Sequence, residues 1–270
     1  MKDYLKQIIA ERSSGLPERG IVREYLQARI LQILQEGGAF LDWAFHGGTA
    51  LRFLYSIPRC SEDLDFALIR TGRPSRFREL LEKIRASFET EGYAVTLKIK
   101  DLTTVASAFV RFPGLLYELG VSPHRPEVIS VKIELDTNPP SGAVLETTLI
   151  RRHVVLNLLH HDRASLLAGK LHAVLTRGYT KGRDLYDLVW YLADRTWPSP
   201  NLLLLNSALL QTGWEGPRGT EANWRELAAE RIRRVRWDRA VEDVRPFLER
   251  QSDLTLLNEE NCLKLLRRER

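Results

Sequence analysis

Phe45-His46-Gly47-Gly48-Thr49-Ala50-Leu51-Arg52 and, a little further on, Arg59-Cys60-Ser61-Glu62-Asp63-Leu64-Asp65-Phe66 are the stretches that decide how this chain is read. In the first, two glycines stand where the apolar run Trp43-Ala44-Phe45 gives way to a helical pattern. Without a Cβ the backbone can turn sharply there and approach a ligand closely, and amides at the start of a helix suit a phosphate. In the second, Asp63 and Asp65 bracket Leu64 in a strand-like run that ends Phe66-Ala67-Leu68. Period-two alternation puts both carboxylates on one face, about 7 Å apart. Two like charges at that spacing need a partner, and Mg²⁺ is the usual one, because it takes oxygen ligands, keeps several waters and also binds substrate phosphates. The plainer readings are a strand-to-helix turn with Thr49 as N-cap and a solvent-facing strand edge countered by Arg52 or Arg59. The occurrence of both features in succession favours a nucleotide site built from Gly47, Gly48, Thr49, Asp63 and Asp65, with Mg²⁺, or Mn²⁺ in its place, as the cation. Ser61 falls in the same alternating row and could contact phosphate or water; it has no nearby general base to make it a nucleophile.

Working outward, Lys2 to Arg12 reads as a short helix stopped by Ser13-Ser14-Gly15. Ile21 to Glu36 reads as a better one, with apolar residues at 22, 25, 26, 30, 33 and 34. A strand over 41–46 leads into the glycine turn, and a helical segment from Thr49 to Tyr55 follows until Ile57-Pro58-Arg59 breaks it. Gly72-Arg73-Pro74-Ser75 is a turn, and Phe77 to Glu91 is an amphipathic helix. Four β-rich segments follow: Tyr93 to Ile99, Val105 to Phe112, Val128 to Leu135 and Val144 to Ile150. From Asp162 onward the patterns are all helical: Asp162 to Arg177, Arg183 to Asp194, Asn201 to Gln211, Glu221 to Arg236, Asp238 to Arg250 and Leu254 to Arg267. The chain is therefore expected to be α+β, with a mixed-sheet core over 1–160 and an all-helical C-terminal region over 161–270.

A third acid is sought for such a site, to activate an attacking hydroxyl or complete a second metal position. The run Val131-Lys132-Ile133-Glu134-Leu135-Asp136 places Lys132, Glu134 and Asp136 on one face. Glu134 is mid-strand; Asp136 precedes Thr137-Asn138-Pro139 and could instead open the turn. His160-His161-Asp162 offers no third ligand at helical spacing and is not read as a metal triad.

Gly-Gly-Thr-x-Leu-Arg followed by Arg-x-Ser-x-Asp-Leu-Asp-Phe resembles the signature of the AbiEii/AbiGii toxin family, which includes MenT-like toxins, within the DNA polymerase β-like nucleotidyltransferase superfamily. The resemblance continues in Lys170-Leu171-His172-Ala173-Val174-Leu175-Thr176-Arg177 and in Arg183-Asp184-Leu185-Tyr186-Asp187-Leu188, and spans residues 20–195. It implies a metal-dependent nucleotidyltransferase, the toxin of a bacterial toxin–antitoxin pair, moving a nucleoside monophosphate from an NTP onto a hydroxyl. In that family the glycine turn and its hydroxyl hold the nucleotide's phosphates, which carries over to Gly47, Gly48 and Thr49. Arg52 is expected to help neutralise the phosphates. Lys170 is expected to contact the triphosphate or to offset charge developing in the transition state, and Arg177 to be a second such cation or a partner of Asp184. Asp184 is expected in the active site with Asp187 as its structural neighbour, although the two acids could exchange roles. The helical region is thereby expected to complete the active site. The implied partners are an antitoxin, an NTP and, as acceptor, tRNA. A protein or small-molecule acceptor, or an inactive binding module, are the alternatives.

Composition sets the remaining bounds. With 270 residues, 44% of them hydrophobic, the chain can bury a core. Cys60 and Cys262 are too far apart in sequence for a zinc spacing, and two cysteines make no disulfide framework. A cytoplasmic, membrane-free protein is expected, since no signal-peptide core or apolar run of spanning length occurs. The net charge of +5 suits a polyanionic partner, and arginines crowd 225–239 and the terminus at Arg267, Arg268 and Arg270. The stretch Arg231-Ile232-Arg233-Arg234-Val235-Arg236-Trp237 is read as a solvated helix face, with an RNA-backbone contact as the alternative.

Overall fold

The strand that carries the two aspartates is the central one of seven. In the computed structural model, described over residues 2–11, 15–70, 75–179 and 181–267, β1 (Trp43–His46) and β2 (Asp63–Leu68) form an antiparallel pair with α3 (Gly47–Tyr55) between them in sequence. The sheet order is β3-β4-β5-β2-β1-β7-β6, with β3 Thr96–Lys100, β4 Val105–Pro113, β5 Val128–Asp136, β6 Leu145–Arg152 and β7 Val154–His161. β2 runs parallel to β5, and β4 is antiparallel to both its neighbours β3 and β5. The sheet is therefore mixed, and with its helices it makes the α+β class expected from the sequence. The expected end of the first helix at Ser13-Ser14, the turn at Gly72-Arg73-Pro74 and the terminal Arg268 and Arg270 lie outside the described residues.

Alternation decides the two faces of the sheet. On β4, Ala106, Ala108, Val110 and Phe112 are buried; on β5, Ile129, Val131, Ile133 and Leu135 are buried, and the residues between them are exposed or half-exposed. A sheet with one solvated face has this pattern. Beneath β2 the buried side is aromatic: Phe66 lies 5.3 Å from Phe45 and 5.5 Å from Trp43, ring centre to ring centre. Helix α4 (Phe77–Thr90) buries Phe77, Leu80, Leu81, Ile84 and Phe88, the stripe its spacing predicts.

Helix α1 spans Lys2–Glu11 and the short α5 Leu115–Glu118, while helix α2 (Glu18–Glu36) is buried more fully than its pattern suggests. Ile21, Ala28 and Leu31, off the expected stripe, are in the core together with Glu24 and Gln27. Glu24 survives there because Arg52 Nε reaches it at 2.6 Å and Arg152 Nε at 2.9 Å. Burial would push the Glu24 carboxyl up, but the hydrogen bond from His153 and the charges of Arg152 and Arg52 outweigh it and hold it at about 2. β7 has no counterpart among the expected segments, although Val154-Val155-Leu156-Asn157-Leu158 carries a β-type pattern; its Leu156 and Leu158 are buried.

The chain divides into two compact units, Met1–Pro139 with Thr147–His160, and Pro140–Glu146 with His161–Arg270. The second is helical: α6 (Arg163–Thr176), α7 (Gly182–Ala193), α8 (Leu202–Gln211), α9 (Trp224–Ile232), α10 (Trp237–Val244) and α11 (Glu259–Arg267). Asp162 caps α6 by accepting from the Ser165 amide at 2.7 Å. Ser165 Oγ accepts from the Val144 amide, and Asn201 donates to the Gly142 carbonyl, so 140–146 is stitched to the helices. α9 and α10 are shorter than expected: the first ends before the Arg233-Arg234 turn, and Pro246 converts the end of the second into a 3₁₀ turn, Arg245–Phe247.

Candidate active site

The glycine turn is built around the aspartates. Gly47 has φ +79°, and a Cβ there would lie 2.2 Å from Asp65 Oδ2. A Cβ on Gly48 would lie 2.7 Å from Arg59 Nη2 and 3.0 Å from Ser61 Oγ. Both bare faces are thus turned toward polar side chains of the second motif, and only glycine fits at 47. Thr49 is fully buried inside α3, and its hydroxyl donates to the Asp63 carbonyl, which ties the helix to β2. It is not the N-cap, a position held by His46. Ser61 lies just before β2, its carbonyl accepting from Gln27 Nε2 at 3.0 Å.

Register places the remaining groups. Asp63 faces Lys132 and Asp65 faces Glu134 across the β2–β5 pair, and residues directly opposite share a face. Burial first, then the charge of Asp65, pushes the Asp63 carboxyl up to about 6 against the pull of Lys132. Lys132 bonds Glu134 at 2.7 Å. Burial works against its ammonium, but Glu134, then Asp63 and Asp65, raise its pKa. Asp136 Oδ1 accepts from the Asn138 amide at 2.9 Å, so this acid opens the turn after β5. Among the described residues no three His, Cys, Asp or Glu side chains group closely enough to hold a metal ion by themselves. Two carboxylate-bearing residues on one face, one of them with a pKa raised by burial and then by like charge, nonetheless fit a hard divalent cation that takes its other ligands from water and phosphate.

Arg52 is placed elsewhere. Its guanidinium is buried, bonded to Glu24 and, at 2.8 Å, to the Ile57 carbonyl. In the helical unit Lys170 lies between two acids, 3.0 Å from Asp184 Oδ1 and 2.7 Å from Asp187 Oδ2, and Arg177 Nε reaches Asp184 Oδ2 at 3.2 Å. Asp184 and Asp187 are both buried. Burial would raise the Asp184 carboxyl, yet Lys170, Arg177 and Lys181 hold it at about 2. His160 bonds Thr148 at 2.8 Å.

A nucleotide-transferring enzyme is the class that this turn, acid pair and sheet define, and the comparisons bear it out. The profile described as "Nucleotidyl transferase AbiEii toxin, Type IV TA system" matches residues 29–259. The chain belongs to this family. It is a nucleotidyltransferase of the toxin class, for which the family implies an NTP substrate, a divalent metal and an antitoxin partner. No curated protein matches by sequence. The fold is similar to that of a candidate nucleotidyltransferase from Helicobacter pylori, at 20% identity and TM-score 0.55, covering 93% of this chain and 92% of that one. It is likewise similar to JHP933 from Helicobacter pylori, at 20% identity and TM-score 0.54, over 93% and 90% of the two chains. The nucleotidyltransferase toxin MenT4 from Mycobacterium tuberculosis aligns over 99% of both chains at 17% identity and TM-score 0.47. Among the described residues no helix is long and apolar enough to cross a membrane.

Proposed function

We propose that the protein transfers a nucleoside monophosphate from an NTP to a hydroxyl at the end of an RNA, tRNA being the acceptor, with Mg²⁺ or Mn²⁺ held by Asp63 and Asp65. The acceptor oxygen bonds to the α-phosphorus, the bond from that phosphorus to the oxygen bridging to the β-phosphate breaks, and pyrophosphate leaves. The observation that carries the reading is the acid pair beside the glycine turn, with the Asp63 carboxyl raised to about 6 by burial and by Asp65. A bound divalent cation supplies charge neutralisation for the attacking and leaving oxygens. The amides of Gly47 and Gly48 and the Ser61 hydroxyl then orient phosphate, and Glu134, opposite Asp65, takes the hydroxyl proton. Asp136 is engaged by its turn and Arg52 by Glu24, so neither enters this set. We also propose that Lys170 and Asp184 belong to the catalytic set, on the strength of the family motif, and that the domains are a transferase core over 1–160 and a helical region over 161–270.

RNA as acceptor is supported by the solvated sheet face. Lys98, Phe109, Lys132 and Asp63 stand directly opposite one another across β3, β4, β5 and β2. The row runs about 14 Å at the spacing of adjacent strands, from an exposed lysine past an exposed ring to the acid. Phe109 is 37% exposed, with the Lys132 ammonium 5.9 Å from its ring centre. An aromatic between cations suits a base flanked by phosphates. Incubation with α-labelled NTPs and separate pools of RNA, protein extract and aminoglycoside tests this. Label in RNA, lost in Asp63→Asn, is expected; label in protein with none in RNA would remove the RNA reading.

A further inference from the structure

The arginine stretch of the helical unit is not a solvated face alone. Arg231, Arg234 and Arg236 join Arg177, Lys181 and Arg239 around a cavity of ≈ 360 Å³. Arg233, in the middle of the stretch, points elsewhere and pairs with Glu226 at 2.9 Å. The only carboxylate among the described lining residues is Asp184, already engaged by Lys170 and Arg177. Six cationic side chains share two carboxylates, Asp184 and, outside the lining, Asp238, which Arg236 reaches at 3.4 Å, so a surplus of like charge surrounds the cavity and repels itself.

The fold holds them in place. α6 ends just before Arg177, α7 starts after Lys181, α9 ends beside Arg231, and α10 starts after Arg236. Arg231 donates to the carbonyls of Val174 and Arg177, closing the open end of α6. Gly182 allows α10 to lie against α7: a Cβ there would be 1.9 Å from the Ala240 carbonyl oxygen. Arg234 and Arg239 make no ion pair among the described residues, and both are exposed. Lys181 is pushed down by burial first, against Asp184, and further by Arg177, Arg183 and Lys170. Tyr179, 65% exposed, stands at the wall, with its hydroxyl accepting from Arg177 Nη1 at 3.2 Å.

We infer that this pocket is a binding site for a compact polyphosphate, either the triphosphate tail of a nucleotide or a free inorganic polyphosphate. The cations surround one cavity instead of lining a groove. That geometry matches several charges on adjacent phosphates better than RNA, which carries one charge per nucleotide along a backbone. Arginine's planar fork can bond two phosphate oxygens at once. The volume is at the small end of ligand sites and large enough for a triphosphate. Lys170, the residue the motif nominates for this task, has two acids beside it, whereas Arg177 and Arg236 have one each and Arg234 and Arg239 make no ion pair among the described residues. The nucleotide arm rests on the transfer reading above; the phosphate site does not.

Isothermal titration calorimetry of the full chain in EDTA, without divalent cations, tests it with sodium tripolyphosphate, an NTP and a 5′-dephosphorylated single-stranded RNA as probes. Tripolyphosphate is expected to bind. The double variant Arg234→Ala/Arg239→Ala, both exposed and so compatible with folding by circular dichroism, is expected to weaken it at least tenfold, with recovery in Arg234→Lys/Arg239→Lys. If the NTP binds more tightly than tripolyphosphate and Tyr179→Ala removes the difference, the source is a nucleotide; equal affinities name the inorganic anion. Unaltered affinity in the double alanine variant, or RNA matching tripolyphosphate at equal phosphate concentration, would overturn the inference. Asp63→Asn is expected to leave this binding unchanged. Transfer persisting in Asp63→Asn would sink the enzymatic proposal and spare the pocket, whereas an unaffected double variant would sink the pocket and spare the proposal.

Discussion

Two clusters of charge in this protein are handled in opposite ways. On the sheet face, Asp63 and Asp65 lie beside one another with their common cation, Lys132, already bonded to Glu134, and the Asp63 carboxyl rises to about 6. In the helical unit, Lys170, Arg177, Asp184 and Asp187 neutralise one another, and the Asp184 carboxyl sits at about 2. The first arrangement is electrostatically incomplete and gains from a divalent ligand. The second is complete as folded and holds α6 to α7. An incomplete cluster costs stability and is retained for function; in a complete one, removing either sign leaves a buried charge uncompensated.

The sharpest way to break the contrast is to neutralise one member of each cluster. Asp63→Asn is expected to lower transfer by about 10³-fold or more, the scale of losing a charge-stabilising group, as read by labelled-NTP incorporation. The same variant should be more stable in metal-free buffer at pH 7. A carboxyl whose folded pKa is raised from 3.8 to about 6 has its stabilising contribution intact below pH 3.8, and loses it as pH rises through 6. Removing the charge should restore about 1–2 kcal/mol at neutral pH, discounted for partial exposure. A lower Tm for Asp63→Asn in EDTA would break the comparison. Lys170→Met should do the reverse, costing about 3–5 kcal/mol by removing the ammonium that the buried Asp184 and Asp187 share. An unchanged denaturant midpoint would show that the helical cluster is not a structural brace.

Glu24 sharpens the comparison as a second complete cluster, inside the sheet unit itself. Its carboxyl is lowered from 4.5 to about 2, so its contribution is full above pH 4.5 and disappears as pH falls through 2. Glu24→Gln should cost about 3 kcal/mol at pH 7 and flatten the acid limb of the stability profile. A profile identical to wild type between pH 2 and 5 would refute this. The smallest effect separates close approach from backbone strain. Gly47 and Gly92 both have φ +79°, but a Cβ meets Asp65 at 47 and nothing within 4 Å at 92. Gly92→Ala should cost about 1 kcal/mol of stability with activity kept; Gly47→Ala should lose activity as well. Equal activities in the two variants would remove the proposed link between the turn and the acid pair.

Much of the sheet unit was legible because its signals are local. Alternation on β4 and β5, the stripe on α4 and the two glycines each report on neighbours within a few residues. Strand β7 is not among the expected segments although Val154 to Leu158 carry a usable pattern, since only His153, at φ 60°, separates it from β6 and it runs on to the cap of α6. Arg52 looked like a phosphate ligand by its place after the glycine turn, and Glu24, 28 residues upstream, takes it instead. Phe109 and Lys98 reach the acid row only through pairings of β3, β4 and β5, and Arg239 reaches the pocket of Arg177 through a helix packed on Gly182.

By itself, the order of residues determined the class of fold, the single face shared by Asp63 and Asp65, and the family, because periodicity and spaced motifs are properties of nearby positions. Tertiary structure alone decided which charges are satisfied. Whether Asp63 is repelled, Lys170 neutralised or Arg234 left without a counter-ion among the described residues depends on burial and on partners far along the chain, and electrostatic energy follows distance in space, not separation in sequence.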